Sequence, residues 1–168
     1  SPRRFLSFGL FRVGEAQDMV WKPGVVEDQI FTPGIDAGHI KEDIISSWYR
    51  DATGPLSPPD LVTADPYKAE AYTFVKAVHY QGVPYEVGPL ARLVINQGYQ
   101  GGPSTMDRIV ARSREVDEIT TLVLKWLLLL TPSAPVLSRN PTPSATEALG
   151  MTDAPRGALL HQAIIQEG

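Results

Sequence analysis

Apolar residues recur at helical spacing over residues 104–130, and this is the strongest structural signal in the chain. They keep the three-and-four rhythm of a helix once Ser113 and Thr120 are counted at the two intermediate positions. Ser104 with Asp107 resembles a capping box in which Asp replaces the usual Glu. The stripe consists of Met106, Ile109, Val116, Val123, Leu127 and Leu130. The pattern predicts one long helix that packs against partners for most of its length, as helices do in a bundle.

Charged residues concentrate in the first half of this predicted helix. Mixed charges on a helix most often face water. We therefore interpret them as a solvated face rather than as a binding surface. They are Asp107, Arg108, Arg112, Arg114, Glu115, Asp117 and Glu118.

Short apolar runs broken by turn residues occupy residues 5–31 and predict a small antiparallel meander. The turns are expected at Pro23–Gly24 and at Phe31–Gly34, because proline presets φ and glycine accepts positive φ. Residues 40–50 place their apolar side chains on one helical stripe, which predicts a short amphipathic helix. The proline-rich stretch 53–67 is expected to be a loop, because proline fixes φ and removes a hydrogen-bond donor.

The remaining segments predict two further strands and a second helix. Residues 72–80 are expected to form a strand, with 85–87 as its returning arm. A helix is then expected to begin at Pro89 and end near Gln97, before Gly98. Gly101, Gly102 and Pro103 break the chain ahead of the long helix, and 131–146 predicts an extended, packed connection. Residues 158–168 are expected to form a strand whose hairpin partner is missing.

Together these elements predict an α+β fold in a single domain, residues 1–168. Antiparallel N-terminal strands would pack with the long helix, 104–130, and with a C-terminal strand. A chain of 168 residues that is 43% hydrophobic and 20% charged is long enough for one real core.

Charge and composition exclude several classes of function. The net charge is −4, and no basic run exceeds Arg3–Arg4, so nucleic acid and anionic membranes are disfavoured as partners. The apolar run 119–130 is too short to cross a bilayer, which takes about twenty residues. The sequence contains no cysteine, which excludes disulfides, zinc ribbons and iron-sulfur ligation by these residues.

Two stretches have the composition of functional sites. In the first, Asp153–Gly157, a proline before Arg156 and a glycine after it constrain the direction of one cationic side chain. The plain alternative is a turn in which Arg156 pairs with Asp153 or Glu147. In the second, Glu86–Arg92, the terminal Glu and Arg flank a Gly-Pro hinge and suggest a buried ion pair across a strand-to-helix turn.

The histidines carry a weaker signal. His39, His79 and His161 lie far apart in sequence, without cysteine or a metal-binding spacing beside them, so a self-contained metal site is disfavoured. We expect each of them to be satisfied within the packed structure.

Both stretches resemble the large, catalytic subunit of nickel-iron hydrogenases. The family's Gly-x-x-Glu-Ala-Pro-Arg-Gly-Ala-Leu-Gly-His segment is matched with Asp153 in place of Glu and Leu160 in place of Gly, and Gln162 follows where Trp is common. The matching residues are Gly150, Ala154, Pro155, Arg156, Gly157, Ala158, Leu159 and His161.

The second stretch matches the family's Glu-Val-Gly-Pro-Leu-Ala-Arg block in full. In the segment before it, Val78 and His79 stand where the family has Pro and Arg. Lys76, Ala77, Tyr80, Gly82 and Pro84 agree, and supporting matches occur at Ser47–Tyr49 and Phe5–Gly9. These matches run in the family's order over nearly the whole chain.

The resemblance implies a role for Arg156 and Pro155 above the open side of a nickel-iron pair that carries CO and cyanide ligands. Arg156 would give electrostatic and acid-base support for splitting H2 into proton and hydride. Glu86, Arg92, Lys76 and His161 would lie further from the metals. The metal-holding cysteine pairs would come from polypeptide flanking this chain, and an iron-sulfur small subunit would exchange electrons with the enzyme.

On this interpretation the chain is an internal piece of a longer subunit and is inactive alone. One alternative is a cysteine-free, hydrogenase-like module with a structural or assembly role. Another is a relative of the quinone-module subunit of respiratory complex I, which shares the Pro-Arg-Gly turn. The complete match over residues 86–92 and the Ala158–Leu159 continuation favour the hydrogenase.

Overall fold

The computed structural model describes residues 3–12, 19–51, 62–134 and 147–165, and these form an α+β fold, as predicted. A single turn of 3-10 helix at Ala37–His39 precedes the sixth strand. The helices are α1 (Pro89–Gln97) and α2 (Thr105–Leu129). The strands are β1 (Arg4–Ser7), β2 (Leu10–Arg12), β3 (Met19–Trp21), β4 (Gly24–Glu27), β5 (Ile30–Pro33), β6 (Ile40–Asp43), β7 (Ala77–Tyr80), β8 (Glu147–Ala154) and β9 (Gly157–Ile164).

The N-terminal strands are antiparallel, but they do not form a simple meander. β1 pairs with β4 and β4 with β5, while β2 and β3 make a separate hairpin between β1 and β4. The predicted break at Phe31–Gly34 is wrong, because these residues mostly belong to β5. Its turn lies earlier, at Asp28 and Gln29, where both residues adopt positive φ.

β1 lies between two apolar clusters because its side chains alternate between the faces of the strand. Phe5 packs with Val26, Ala111 and the buried face of α1 in one cluster. Leu6 packs with Ile40 and Tyr80 in the other, to which β8 and β9 contribute partly buried residues. The strand therefore connects the helices to the C-terminal hairpin.

The predicted helix over residues 40–50 is wrong. Ile40–Asp43 forms β6, which pairs antiparallel with β7. Ile40 and Ile44 are both buried, and their spacing of four mimics a helical stripe. Pairing with β7 and packing against Tyr80 decide the conformation instead. β7 accordingly pairs with β6 and not with residues 85–87.

α1 matches its predicted boundaries. Pro89 occupies its first turn, where the missing N–H is not needed, and Gly98 ends it in the left-handed conformation. α2 also begins after Ser104, whose hydroxyl accepts a hydrogen bond from the Asp107 N–H at 3.1 Å. Both helices therefore start and stop where the local sequence indicates.

α2 is oriented opposite to the expectation. Ala111 is its one fully buried residue, and all six residues of its apolar stripe are exposed. Three of the charged residues instead contact the rest of the molecule, with Arg108 on Glu86, Glu115 on Arg92 and Glu118 on Trp21. The prediction of a solvated face is therefore wrong for these three residues, whereas Arg112, Arg114 and Asp117 are exposed.

β9 has its hairpin partner, contrary to the prediction of a lost arm. β8 pairs with it along its whole length, from Glu147 opposite Ile164 to Ala154 opposite Gly157. Pro155 and Arg156 form the turn between the two strands. The extended connection predicted over 131–146 and the loop predicted over 53–67 lie largely outside the described residues. No described helix is long and apolar enough to span a membrane.

Candidate functional site

The two singled-out stretches meet in the structure, and Arg92 joins them. Arg92 is 2% exposed. Its Nη1 donates to Asp153 Oδ2 at 3.1 Å and to the Ala154 carbonyl at 3.2 Å, and its Nη2 contacts the Pro155 carbonyl at 3.4 Å. α1 thereby holds the hairpin turn through the side chain of its fourth residue.

The same guanidinium also binds α2. Its Nε and Nη2 donate to the two carboxylate oxygens of Glu115 at 2.6 and 3.1 Å, which is the bidentate geometry that favours arginine over lysine. Its Cζ lies 5.4 Å from the centre of the Trp21 ring, within range of a cation-π contact. One buried cation therefore ties together α1, α2 and the C-terminal hairpin.

The electrostatics of this cluster keep Arg92 charged. Burial alone would lower the pKa of Arg92, because it penalises the charged form. The hydrogen bonds and charges of Glu115 and Asp153 outweigh that effect and raise the pKa above its ordinary value. Breaking either ion pair would leave an uncompensated buried charge, which is strongly destabilising.

The buried carboxylate at the turn end of the β8–β9 hairpin belongs to Asp153. It is 3% exposed, and it accepts hydrogen bonds from the Ser7 hydroxyl at 2.7 Å and from the Phe8 N–H at 2.9 Å. Its own N–H donates to the Gly9 carbonyl at 3.0 Å. Asp153 is thus bound to both Arg92 and the end of β1, so it cannot pair with Arg156.

Glycines let the two stretches approach each other closely. Gly88 has a φ of 90°, and a Cβ there would collide with the carbonyl of Arg156. A Cβ on Gly157 would collide with the Val87 side chain in the same way. Backbone therefore packs directly on backbone, and larger residues at either glycine would push the turn away from α1.

Arg156 and Pro155 occupy the exposed tip of this turn. Neither Asp153 nor Glu147 pairs with Arg156, because Asp153 binds Arg92 and Glu147 accepts from the Gln162 amide. Among the described residues, no side chain forms a hydrogen bond or ion pair with the Arg156 guanidinium. The structure thus presents a cation at the end of a braced turn.

The other predicted site residues behave differently. Glu86 does not pair with Arg92. Its two carboxylate oxygens accept from Arg108 at 2.7 Å each, while its backbone hydrogen-bonds to β1. Lys76 forms an ion pair with Glu42 at 2.6 Å, in the β6–β7 sheet. His161 is exposed on β9, opposite Gly150, and His39 is exposed as well, so the expectation of packed histidines is wrong for these two residues.

Sequence reasoning missed Ser7, Glu115 and the buried role of Asp153. Ser7 and Asp153 both lie in segments that match the family pattern, so the signal was present, but pairing them requires a contact across most of the chain. Glu115 gave no signal, because it belongs to a charged run that resembles an ordinary exposed face. The described residues contain no group of His, Asp or Glu that is suited to hold a metal ion.

Comparisons with known proteins bear on this arrangement. The family model for nickel-dependent hydrogenases matches residues 1–102, which include the whole Glu86–Arg92 stretch. That match covers most of the chain. The chain belongs to the nickel-dependent hydrogenase family.

Individual relatives extend the match to the hairpin. The periplasmic NiFeSe hydrogenase large subunit of Desulfomicrobium baculatum is 31% identical over 98% of this chain. The hydrogenase-1 large chain of Escherichia coli K12 is 29% identical over 77% of the chain. The solved Ni-Fe-Se hydrogenase of D. vulgaris Hildenborough, in its reduced state, superposes with a TM-score of 0.85 and 29% identity over 97% of the chain.

The chain spans a minority of the length of these relatives. It covers 37% of the D. baculatum subunit, 26% of the E. coli chain and 39% of the D. vulgaris chain. These comparisons therefore establish the family and the fold of this segment, and they do not cover the rest of a complete large subunit.

Proposed function

We propose that this chain forms the part of a hydrogenase large subunit that presents Arg156 to a nickel-iron pair, in an enzyme that interconverts H2 with protons and electrons. The observation that carries the proposal is the braced turn. Arg156 is exposed at its tip with no carboxylate partner among the described residues. The two Nη atoms of Arg92 hold the turn through Asp153, Ala154 and Pro155, and its Nε donates to Glu115 on α2. A cation fixed in this way is ready for a negative or polar group brought by other polypeptide.

The residues of this chain fit a position next to such a metal pair, where they would contact its ligands but would not coordinate the metals. The sequence contains no cysteine, and the described residues hold no metal-binding group. Nickel and iron, with CO and cyanide on the iron, would be held by cysteines outside this chain, and the bound metals would supply the splitting of H2. Arg156 would stabilise developing negative charge there, and Pro155 would limit the motion of the turn and exclude water.

Partners follow from the same proposal. The matched relatives are hydrogenase large subunits, so a small subunit that carries iron-sulfur clusters would exchange electrons with the complete enzyme. The flanking parts of the large subunit would complete the metal pocket. This chain alone would be inactive.

The alternatives receive less support. A cysteine-free assembly module is disfavoured because the matched relatives are hydrogenase large subunits. A relative of the complex I quinone-module subunit is disfavoured because the matches reported above are to hydrogenases.

The test is Arg156→Lys in the complete enzyme, because lysine keeps the charge but loses the planar fork. We expect kcat for H2 oxidation to fall about 100-fold, the cost of removing one well-placed donor in an active site. Nickel and iron content, measured by elemental analysis, should stay unchanged. Arg50→Lys, at another exposed arginine, is the matched control and should leave kcat unaltered. Near-normal turnover in Arg156→Lys would rule out the proposed role.

A further inference from the structure

The turn that carries Arg156 is held on both sides by one short stretch of the chain. Before the tip, Arg92 donates to the carbonyls of Ala154 and Pro155. After the tip, the Arg156 carbonyl packs against Gly88, and Gly157 packs against Val87. Residues 87–92 therefore fix the backbone immediately before and immediately after the exposed arginine.

The hydrogen bonds of Arg92 set a direction as well as a position. Carbonyl groups of adjacent peptide units bind the same guanidinium, so neither peptide plane can rotate without losing a bond. The intervening Pro155 already has its φ fixed by its ring. The backbone thus has little freedom left with which to change where the Arg156 side chain points.

Arg92 is itself rigid because it is bound from the other side. Glu115 on α2 takes two of its N–H groups in a bidentate pair, and the Asp153 carboxylate that it binds is anchored to Ser7 and Phe8. A lysine at this position would supply one ammonium group and could not reach Glu115, Asp153 and the turn carbonyls together.

We infer that Arg92 is the positioning residue for Arg156: it orients the catalytic arginine by locking the turn to both helices. The inference rests on the function proposed above. It assigns to the second stretch a specific effect on the reaction, through Arg156, beyond its contribution to folding. The inference predicts that the effects of substituting Arg92 and Arg156 on kcat are coupled. If Arg92 acts only through Arg156, substituting Arg92 should have no further effect once Arg156 has been changed.

A double-mutant cycle in the complete enzyme tests this coupling. R92K is expected to lower kcat about tenfold, as misplacement of a reacting group does, with KM for H2 changed by less than about twofold. The double variant R92K/R156K should be no slower than R156K alone, within about twofold. Multiplying effects, or normal kcat in R92K, would overturn the inference.

Amide hydrogen exchange gives a readout that is independent of turnover. Exchange in the 151–160 peptide of R92K should accelerate about tenfold, while exchange in β4 and β5 stays as in the parent. Equal acceleration in both regions would indicate a general loss of stability and overturn a specific role in positioning. The control is R4Q, which removes a 2.5 Å ion pair to Glu27 away from the turn, and it should leave the 151–160 peptide unchanged.

The outcomes separate the two proposals. Normal turnover in R156K overturns the proposed function and, with it, the role of Arg92. A slow R156K together with a normal R92K overturns the role of Arg92 alone. If R92K does not assemble, E115Q replaces it in the cycle, because it loosens Arg92 from α2 without touching the turn, and the same coupling with R156K is required.

Discussion

The two helices of this chain are both amphipathic, yet they use opposite surfaces to contact the fold. α1 buries six consecutive residues, Pro89 to Val94, so nearly its whole circumference is covered. α2 is 25 residues long and buries Ala111 alone. Four of its leucines, Leu124, Leu127, Leu128 and Leu129, are exposed. Its contacts with the rest of the protein include the charged side chains of Arg108, Glu115 and Glu118.

The difference shows what decides which side of a helix docks. α1 docks through the apolar side chains of Leu90, Leu93 and Val94, as the hydrophobic effect requires. α2 docks through Arg108, Glu115 and Glu118, each of which meets a complementary group already placed on another element. Apolar periodicity therefore located α2 without orienting it, whereas Pro89 and Gly98 located α1.

The largest expected effect compares one leucine from each helix. Leu90 is 1% exposed and Leu128 is 86% exposed. Leu90→Ala should lower the free energy of unfolding by roughly 2–5 kcal/mol, because it leaves a cavity in the core. Leu128→Ala should change it by less than about 0.5 kcal/mol. Urea unfolding of the two variants checks the contrast, and equal losses would mean that α2 buries Leu128 within this chain.

The helix boundaries and the fold class were predictable because their signals are local. Capping by Ser104, Pro89 in a first turn and Gly98 at a helix end each act within a few residues. Strand pairing was not predictable in this way. The helical spacing of Ile40 and Ile44 concealed the strand β6, with which β7 pairs. The partner of β9 was also missed, although only Pro155 and Arg156 separate the two strands.

The second prediction concerns the charged contacts of α2. Arg108 and Glu86 form a bidentate pair, and the Arg108 side chain is 42% exposed. Their hydrogen bond raises the pKa of Arg108, but solvent screening limits its contribution. Arg108→Gln should therefore cost about 0.5–1 kcal/mol, and the loss should shrink in 1 M salt, where the screening length is about 3 Å. Arg112→Gln, an exposed neighbour, is the control, and an equal, salt-independent loss in both variants would contradict docking through Arg108.

The residues of the candidate site were predictable, but the ion pairs between their side chains were not. Family resemblance singled out Arg156 and Arg92, and both lie at the junction of the two stretches. An ion pair between Glu86 and Arg92 was the natural expectation from their closeness in sequence. The structure instead gives each a partner on α2, since a helix packed across the turn offers Arg108 and Glu115 at the right places. Such contacts depend on tertiary packing, which one sequence does not reveal.

The smallest effect concerns the start of α2, where a charge interacts with local polar groups. The Asp107 carboxylate accepts hydrogen bonds from the Ser104 hydroxyl and, at 2.8 Å, from the Tyr99 hydroxyl. These bonds, with that of Ser104 the larger, lower the pKa of Asp107 from its ordinary value of 3.8. Because the folded pKa is depressed, the stabilisation is complete above the unfolded pKa and is lost as pH falls through the folded pKa.

Urea midpoints measured across the acid range, in the parent chain and in Asp107→Asn, check this prediction. The parent should lose a small increment of stability below the ordinary carboxyl pKa that the Asn variant does not lose, since Asn has no proton to gain. Identical pH profiles would mean that the start of α2 draws no stability from the ionised carboxylate. The polar face of α2 would then dock through Arg108, Glu115 and Glu118 alone.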